Sequence, residues 1–358
     1  MKNRLCILGV ILSLVALLAA CGHGGGTVTT TGIVTTLAGT AGSPGSLDAT
    51  GTAATFRSPY GIATDGTSLF VADTGNSTIR KIDIASGLVS TLTGSAGTSG
   101  TTDGTGTAAL FSAPGGITTD GTNLYVADTG NNTIRKVVIA TGVVTTLAGT
   151  AGVPGSADGT GTAATFNLPF GITTDGTNLY VADTGNSTIR KIDIASAAVT
   201  TLAGTAGNPG SLDATGTAAS FRTPYGIVID GTTLFVADTD NNTIRKIDIA
   251  SAAVTSFAGS AGTSGSTDGV GAAAFFNHPA GITTDGTLLY VTDTANSTIR
   301  KVVISSGAVT TLAGIAEVPG SADATGALAR FYHPVGVTLY SSILYVADTL
   351  NSTIRRIQ

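Results

Sequence analysis

One interval governs this chain. The stretch VADTGNSTIRK begins at Val71 and returns letter for letter at Val181. Near-copies bring its aspartate to Asp73, Asp128, Asp183, Asp238, Asp293 and Asp348, a step of 55 residues each time. The same step carries Phe56 through Phe111, Phe166, Phe221 and Phe276 to Phe331, Pro59 to Pro334, and Arg80 to Arg355. Six copies counted back from Gln358 reach Thr29, so the array takes up nearly all of the sequence. A unit of this length cannot bury its own apolar faces. It has to stack on its neighbours as a solenoid, an array or a propeller.

Strand content decides among these. In the first copy YGIATDG (Tyr60–Gly66), SLFVADTG (Ser68–Gly75), STIRKIDIA (Ser77–Ala85) and LVSTLTG (Leu88–Gly94) are short runs rich in Ile, Val, Thr and aromatics, separated by turn residues. Four such strands make one antiparallel blade, so the pattern predicts an all-β, six-bladed β-propeller of four-stranded antiparallel blades. The run LFVA at Leu69–Ala72 is apolar on both faces, which suits a strand packed between two blades. The last copy stops at NSTIRRIQ without a fourth strand, while IVTTLAG (Ile33–Gly39) stands without a partner and is similar to AVTTLAG (Ala308–Gly314). The N-terminal strand is therefore expected to complete the last blade, closing the ring and removing two exposed edges. Copies three apart match best, as SPGSLDATGTAATFRSPYG and NPGSLDATGTAASFRTPYG show, which points to a doubled three-blade cassette. An open superhelix is the alternative; it leaves the split blade without a reason.

The recurring P-x-G-I followed by D-G-T-x-L-Y-V-A-D-T-x-N-x-T-I-R-K resembles the NHL repeat family, six times over and across nearly all of residues 29–358. That resemblance implies a propeller. The departure from the short NHL unit is an insertion of about twenty residues before each first strand, TAGSPGSLDATGTAATFRSP (Thr40–Pro59) in the first copy.

The front of the chain is of another kind. Lys2 and Arg4 precede an apolar run from Leu5 to Ala20 that ends in small residues before Cys21, the layout of an export signal. A permanent transmembrane segment is the alternative, against which the run is short and charged on one side only. The residues LAAC (Leu18–Cys21) resemble the bacterial lipobox. This resemblance implies a lipoprotein signal peptide at 1–20 and lipid attachment at Cys21, ahead of a Gly- and Thr-rich flexible tether at 21–31 and the propeller at 32–358. Acyl chains would hold the protein on a membrane surface, at roughly 0.8 kcal/mol per buried methylene. Gly22, rather than Asp, after the cysteine favours the outer membrane or cell surface. Cys6 leaves with the signal and Cys21 is acylated, so the mature chain carries no free thiol.

Charge and chemistry narrow the function. Removing Lys2 and Arg4 from the 17 basic side chains leaves 15 against 22 acidic ones, about minus seven, which disfavours nucleic acid. The loops of the Asp48 and Asp73 types join strands at the same end, so these carboxylates are expected to project towards one rim. Three histidines (His23, His278, His333), a single glutamate (Glu317), and no G-x-S-x-G or H-E-x-x-H motif leave catalysis little footing. DATGT or DGTGT at Asp48, Asp103, Asp158, Asp213, Asp268 and Asp323 is similar to a calcium loop, yet supplies one carboxylate each. The expected cofactor is none, with calcium open if carbonyls or neighbouring loops add ligands. An Asx turn leading into one helical turn, with Phe56 anchoring the loop to the core, is the structural reading. Asn76, unchanged in all six copies, reads as a turn residue in the left-handed region. NST and NNT also match a glycosylation sequon, set aside because the lipobox implies a bacterial cell. Asp73 and Arg80 read as a structural ion pair.

A specialised site is sought where the copies disagree. After each recurring Phe stand Arg57-Ser58, Ser112-Ala113, Asn167-Leu168, Arg222-Thr223, Asn277-His278 and Tyr332-His333; after each Pro stand Tyr60, Gly115, Phe170, Tyr225, Ala280 and Val335. In a propeller these positions begin the innermost strand near the mouth of the central channel. The candidate ligand-binding residues are Arg57, Tyr60, Phe170, Arg222, Tyr225, His278 and His333. Drift at positions without packing duty is the plain alternative. The expectation is a monomeric, lipid-anchored envelope binding or scaffold propeller that recognises a protein, peptide or glycan through its loop-rich face. A metal-assisted lactonase or lyase of the six-bladed type, or a structural surface protein, are the other readings.

Overall fold

The computed structural model describes residues 32–358; the expected signal peptide and the whole of the tether, Cys21 included, lie outside them. Six small antiparallel sheets surround an axis. Blade 1 runs from the axis outward as Pro59–Thr64, Ser68–Asp73, Thr78–Asp83 and Val89–Thr93. Blades 2 to 5 repeat this plan. Blade 6 joins Pro334–Tyr340, Ile343–Asp348 and Thr353–Ile357 to the N-terminal strand Ile33–Ala38. In that seam Val34 lies opposite Ile357 and Thr36 opposite Arg355, and Ile33 and Gln358 exchange backbone hydrogen bonds of 3.0 Å each. The ring is closed as the sequence led one to expect.

The second strand of blade 1 is buried along its whole length, because a neighbouring blade covers each face. Between blades 1 and 2, for example, Phe70, Ala72 and Ile79 meet Phe111, Leu124, Val126 and Val137. Burying one such large side chain contributes roughly 1.5–3 kcal/mol. At the axis the innermost strands come into backbone contact: a Cβ on Gly61 would collide with the carbonyl oxygen of Gly115, and one on Gly336 with that of Tyr60, across the seam between blades 6 and 1. Gly61 N–H donates to that same Gly115 oxygen at 3.0 Å. Only a residue without a side chain permits this approach. The space left along the axis is about 70 Å³.

The insertion strides between blades. Gly39 N–H donates to Gly51 O (3.2 Å) and Gly51 N–H to Gly87 O (2.9 Å), so the loop leaves the outer edge of one blade and docks on the outer edge of the next. There it adds a two-residue fifth strand, as at Gly104–Thr105, so four of the six sheets have five strands instead of the expected four. In the other two it forms the single bridges Thr50 to Leu88 and Thr215 to Ala253. This covers part of an edge that would otherwise be exposed.

Beneath each insertion lies the same polar knot. Arg80 sits with its guanidinium 5.1 Å from the Phe56 ring centre; Nη1 donates to Asp73 Oδ2 and to Thr55 O, both at 2.9 Å. Nη2 donates to Asp48 Oδ1 (2.6 Å) and Leu47 O (3.1 Å). Asp48 also accepts from the Thr91 amide (2.9 Å) and hydroxyl (3.1 Å) of the outer strand. It is a bridge from loop to strand, therefore, and not the Asx turn expected; the helical turn does form, as Gly51–Ala53. The two carboxylates meet on one guanidinium, but Asp73 is fully buried instead of projecting to the rim, while the Asp48 side chain stays 46% exposed.

Asn76 is not the left-handed residue. It ends the short 3-10 turn Thr74–Asn76, and the following Ser77 takes φ 58°. The Asn76 amide instead donates to Asp73 Oδ2 (2.8 Å) and Gly45 O (2.7 Å), which leaves the sequon nitrogen buried and engaged. Burial pushes Asp128, Asp238, Asp293 and Asp348 up to about 6, against the pull of a backbone amide, the Asn and the Arg.

Candidate functional site

The knot also builds the channel mouth. Asp73 Oδ1 accepts the Arg57 amide at 2.7 Å, and Gly75 N–H donates to Arg57 O at 2.9 Å, so the chain entering the innermost strand is held from below. Thr74 Oγ1 reaches the next blade at Pro114 O, 2.6 Å away. The next residue turns the chain: Ser58, Ala113, Leu168, Thr223, His278 and His333 all adopt φ between 46° and 53°. The proline that follows disfavours the right-handed helical region there. Each non-glycine residue held this way costs about 1–3 kcal/mol, and the β-branched Thr223 is a real outlier. The result is a ring of six variable side chains presented on one face.

Inside that ring an aromatic plug closes the axis. The Phe170 ring centre lies 4.2 Å from that of Tyr225 and 5.7 Å from that of Tyr60, with Ala280 and Val335 completing the cluster. Gly115 makes room for it, since a Cβ there would stand 2.8 Å from the Phe170 ring. Two clefts flank the plug. One of about 470 Å³ is walled by Leu168, Phe170, Tyr225, Pro209, Thr223 and Arg222. The other, about 300 Å³, lies among Tyr60, Tyr225, Asp240, His278, His333 and Leu350.

Six of the seven candidate residues are therefore gathered around one mouth. Arg57 is the exception, for it lines neither cleft. A Cβ on Gly75 would come within 2.6 Å of Arg57 Cγ, so the arginine stem lies over that turn. The duplicated half has Asp240 where Gly75 stands, and Arg222 faces the larger cleft instead. Asp240 itself accepts from Thr223 Oγ1 at 2.6 Å and lies 3.7 Å from His278 Nε2. Leu168, Pro209 and Asp240 were not among the candidates. Asp240 could have been found as the only charged residue at its place in the six turns. Among the described residues no group of three or more His, Cys, Asp or Glu side chains converges, and no helix is long and apolar enough to cross a membrane.

No family model matches the chain. It is similar to human NHL repeat-containing protein 2, with 31% identity over 277 residues that cover 68% of this chain and 38% of that protein. The chain thus spans less than half of that relative's length. Among solved structures it is similar to a Bacteroides thetaiotaomicron VPI-5482 protein of unknown function, with TM-score 0.70 and 20% identity over 91% of this chain and 75% of that one. An auxiliary nutrient binding protein from the same organism gives TM-score 0.69 and 18% identity over 91% and 76%. The fold is a six-bladed β-propeller, and the chain has NHL-repeat homologues.

Proposed function

We propose that this protein is a lipid-anchored binding propeller of the bacterial envelope that recognises a protein, peptide or glycan through its loop-rich mouth face. The observation that carries the reading is the placement of variation: six mouth positions on strained backbone hold five different residue types, His alone recurring, above a knot that does not vary. The larger cleft has the size and apolar lining of an ordinary small-ligand site. The auxiliary nutrient binding protein supports the reading by its description, and the lipobox-like LAAC supports the anchor.

The test is to probe arrays of immobilised peptides and glycans with the full chain, then with a variant carrying Tyr60→Ala, Arg222→Ala and Tyr225→Ala. The reading expects capture by the first and loss by the second at an unchanged circular-dichroism spectrum; equal capture by both would remove it. For the anchor, Cys21→Ala should move the protein from the membrane fraction to the soluble envelope fraction, and unchanged partition would count against lipidation.

A further inference from the structure

Resting on the reading of the mouth as a binding face, we infer that the larger cleft takes the free C-terminal carboxylate of a peptide whose last side chain is apolar. The volume of about 470 Å³ suits one or two residues and not a long segment. Leu168, Phe170, Tyr225 and Pro209 supply apolar walls. The threonine hydroxyls around them are already committed: Thr129 Oγ1 to Pro169 O and Thr184 Oγ1 to Pro224 O, each at 2.7 Å, and Thr223 Oγ1 to Asp240. A sugar, which needs many polar partners, therefore meets mostly apolar surface, with Ser187 and the Tyr60 and Tyr225 phenols the remaining wall hydroxyls.

Arg222 is the cation of this wall, exposed and without an ion pair or side-chain hydrogen bond among the described residues. Its planar fork matches a carboxylate with two parallel hydrogen bonds. The pseudo-equivalent Arg57 does not build a second such site, because its stem is laid over Gly75. The substitution of Asp240 for that glycine makes the mouth one-sided, and the one side is where an anion finds both a cation and an apolar pocket.

The experiment is calorimetric titration of the full chain with N-acetyl-Gly-Phe as free acid, with its C-terminal amide, and with 3-phenylpropionate. The acid is expected to bind at least about 10-fold more tightly than the amide, as a charged hydrogen-bonded pair requires. Arg222→Gln should bring the acid down to the amide's affinity and leave the amide unchanged, while Arg57→Gln changes neither. Equal affinities for acid and amide, no binding of the acid, or equal losses from both arginine variants would overturn the inference. Phenylpropionate binding as tightly as the dipeptide would replace the peptide end by a small free acid. If acid and amide bind equally and Leu168→Asp weakens both, the mouth stands as a binding face and only the carboxylate assignment falls.

Discussion

Two groups of arginines in this molecule stand in contrast. The six of the repeat, Arg80 to Arg355, have side chains no more than 1% exposed, and each is shared between a buried and a half-exposed aspartate. Arg57 and Arg222, at the mouth, are exposed and unpaired among the described residues. Burying a guanidinium is costly unless carboxylates and carbonyls surround it, and once surrounded it fixes geometry more than it adds stability. The knot locks the insertion onto the blade and the chain onto its turn, so it repeats without change. The mouth arginines hold nothing in place. Where the frame is over-determined, the surface above it is free to vary.

Three perturbations break or sharpen this contrast. Deleting Ile33–Ala38 removes the outer strand of blade 6 with buried Val34 and Ala38 and opens the ring. The melting temperature should fall by roughly 10 °C or more in a calorimetric scan, and an unchanged melt would contradict ring closure. Gly171→Ala would push a methyl group into the Tyr225 carbonyl of the next blade. A loss of about 1–3 kcal/mol by urea denaturation is expected, with no loss showing that the axial contact is loose.

The smallest effect is that of pH. Asp128, Asp238, Asp293 and Asp348 sit at about 6 against the usual 3.8, so the folded state takes up protons first as pH falls. Their contribution to stability is complete below 3.8 and is lost as pH rises through about 6. The melting temperature at pH 5 should equal or exceed that at pH 7.5, and a melting temperature that drops as pH is lowered from 7.5 to 5 would contradict the burial of these groups. Below about pH 4 the trend reverses. Burial raises Asp120 and Asp175, but hydrogen bonds from the turns outweigh it and hold both below the usual range, so their protonation costs stability.

Much of the frame was legible because repetition multiplies weak signals. One short apolar run such as LFVA is ambiguous, whereas six at a fixed step, with Phe56 and Asp73 in phase, leave the propeller and its seam as the economical solution. What repetition cannot give is which partner each recurring polar residue chooses. Asp48 looked like a turn former because local bonding is the commonest use of Asp in a loop, yet it reaches Thr91, 43 residues along. Asn76 looked left-handed for the same reason, although its neighbour Ser77 carries that conformation. At the mouth, variation pointed to the right positions, but the closeness of Phe170 to Gly115 and the split fates of Arg57 and Arg222 depend on contacts between blades that no single repeat encodes.

The central claim is that invariant arginines build the frame while variable ones are left free for recognition. Urea denaturation of eight single Arg→Ala variants tests it most directly, at positions 80, 135, 190, 245, 300 and 355 of the knots and 57 and 222 of the mouth. The account predicts losses of about 3–5 kcal/mol at each of the first six and changes within about 0.5 kcal/mol at the last two. Losses at Arg57 and Arg222 as large as those of the knots would contradict it.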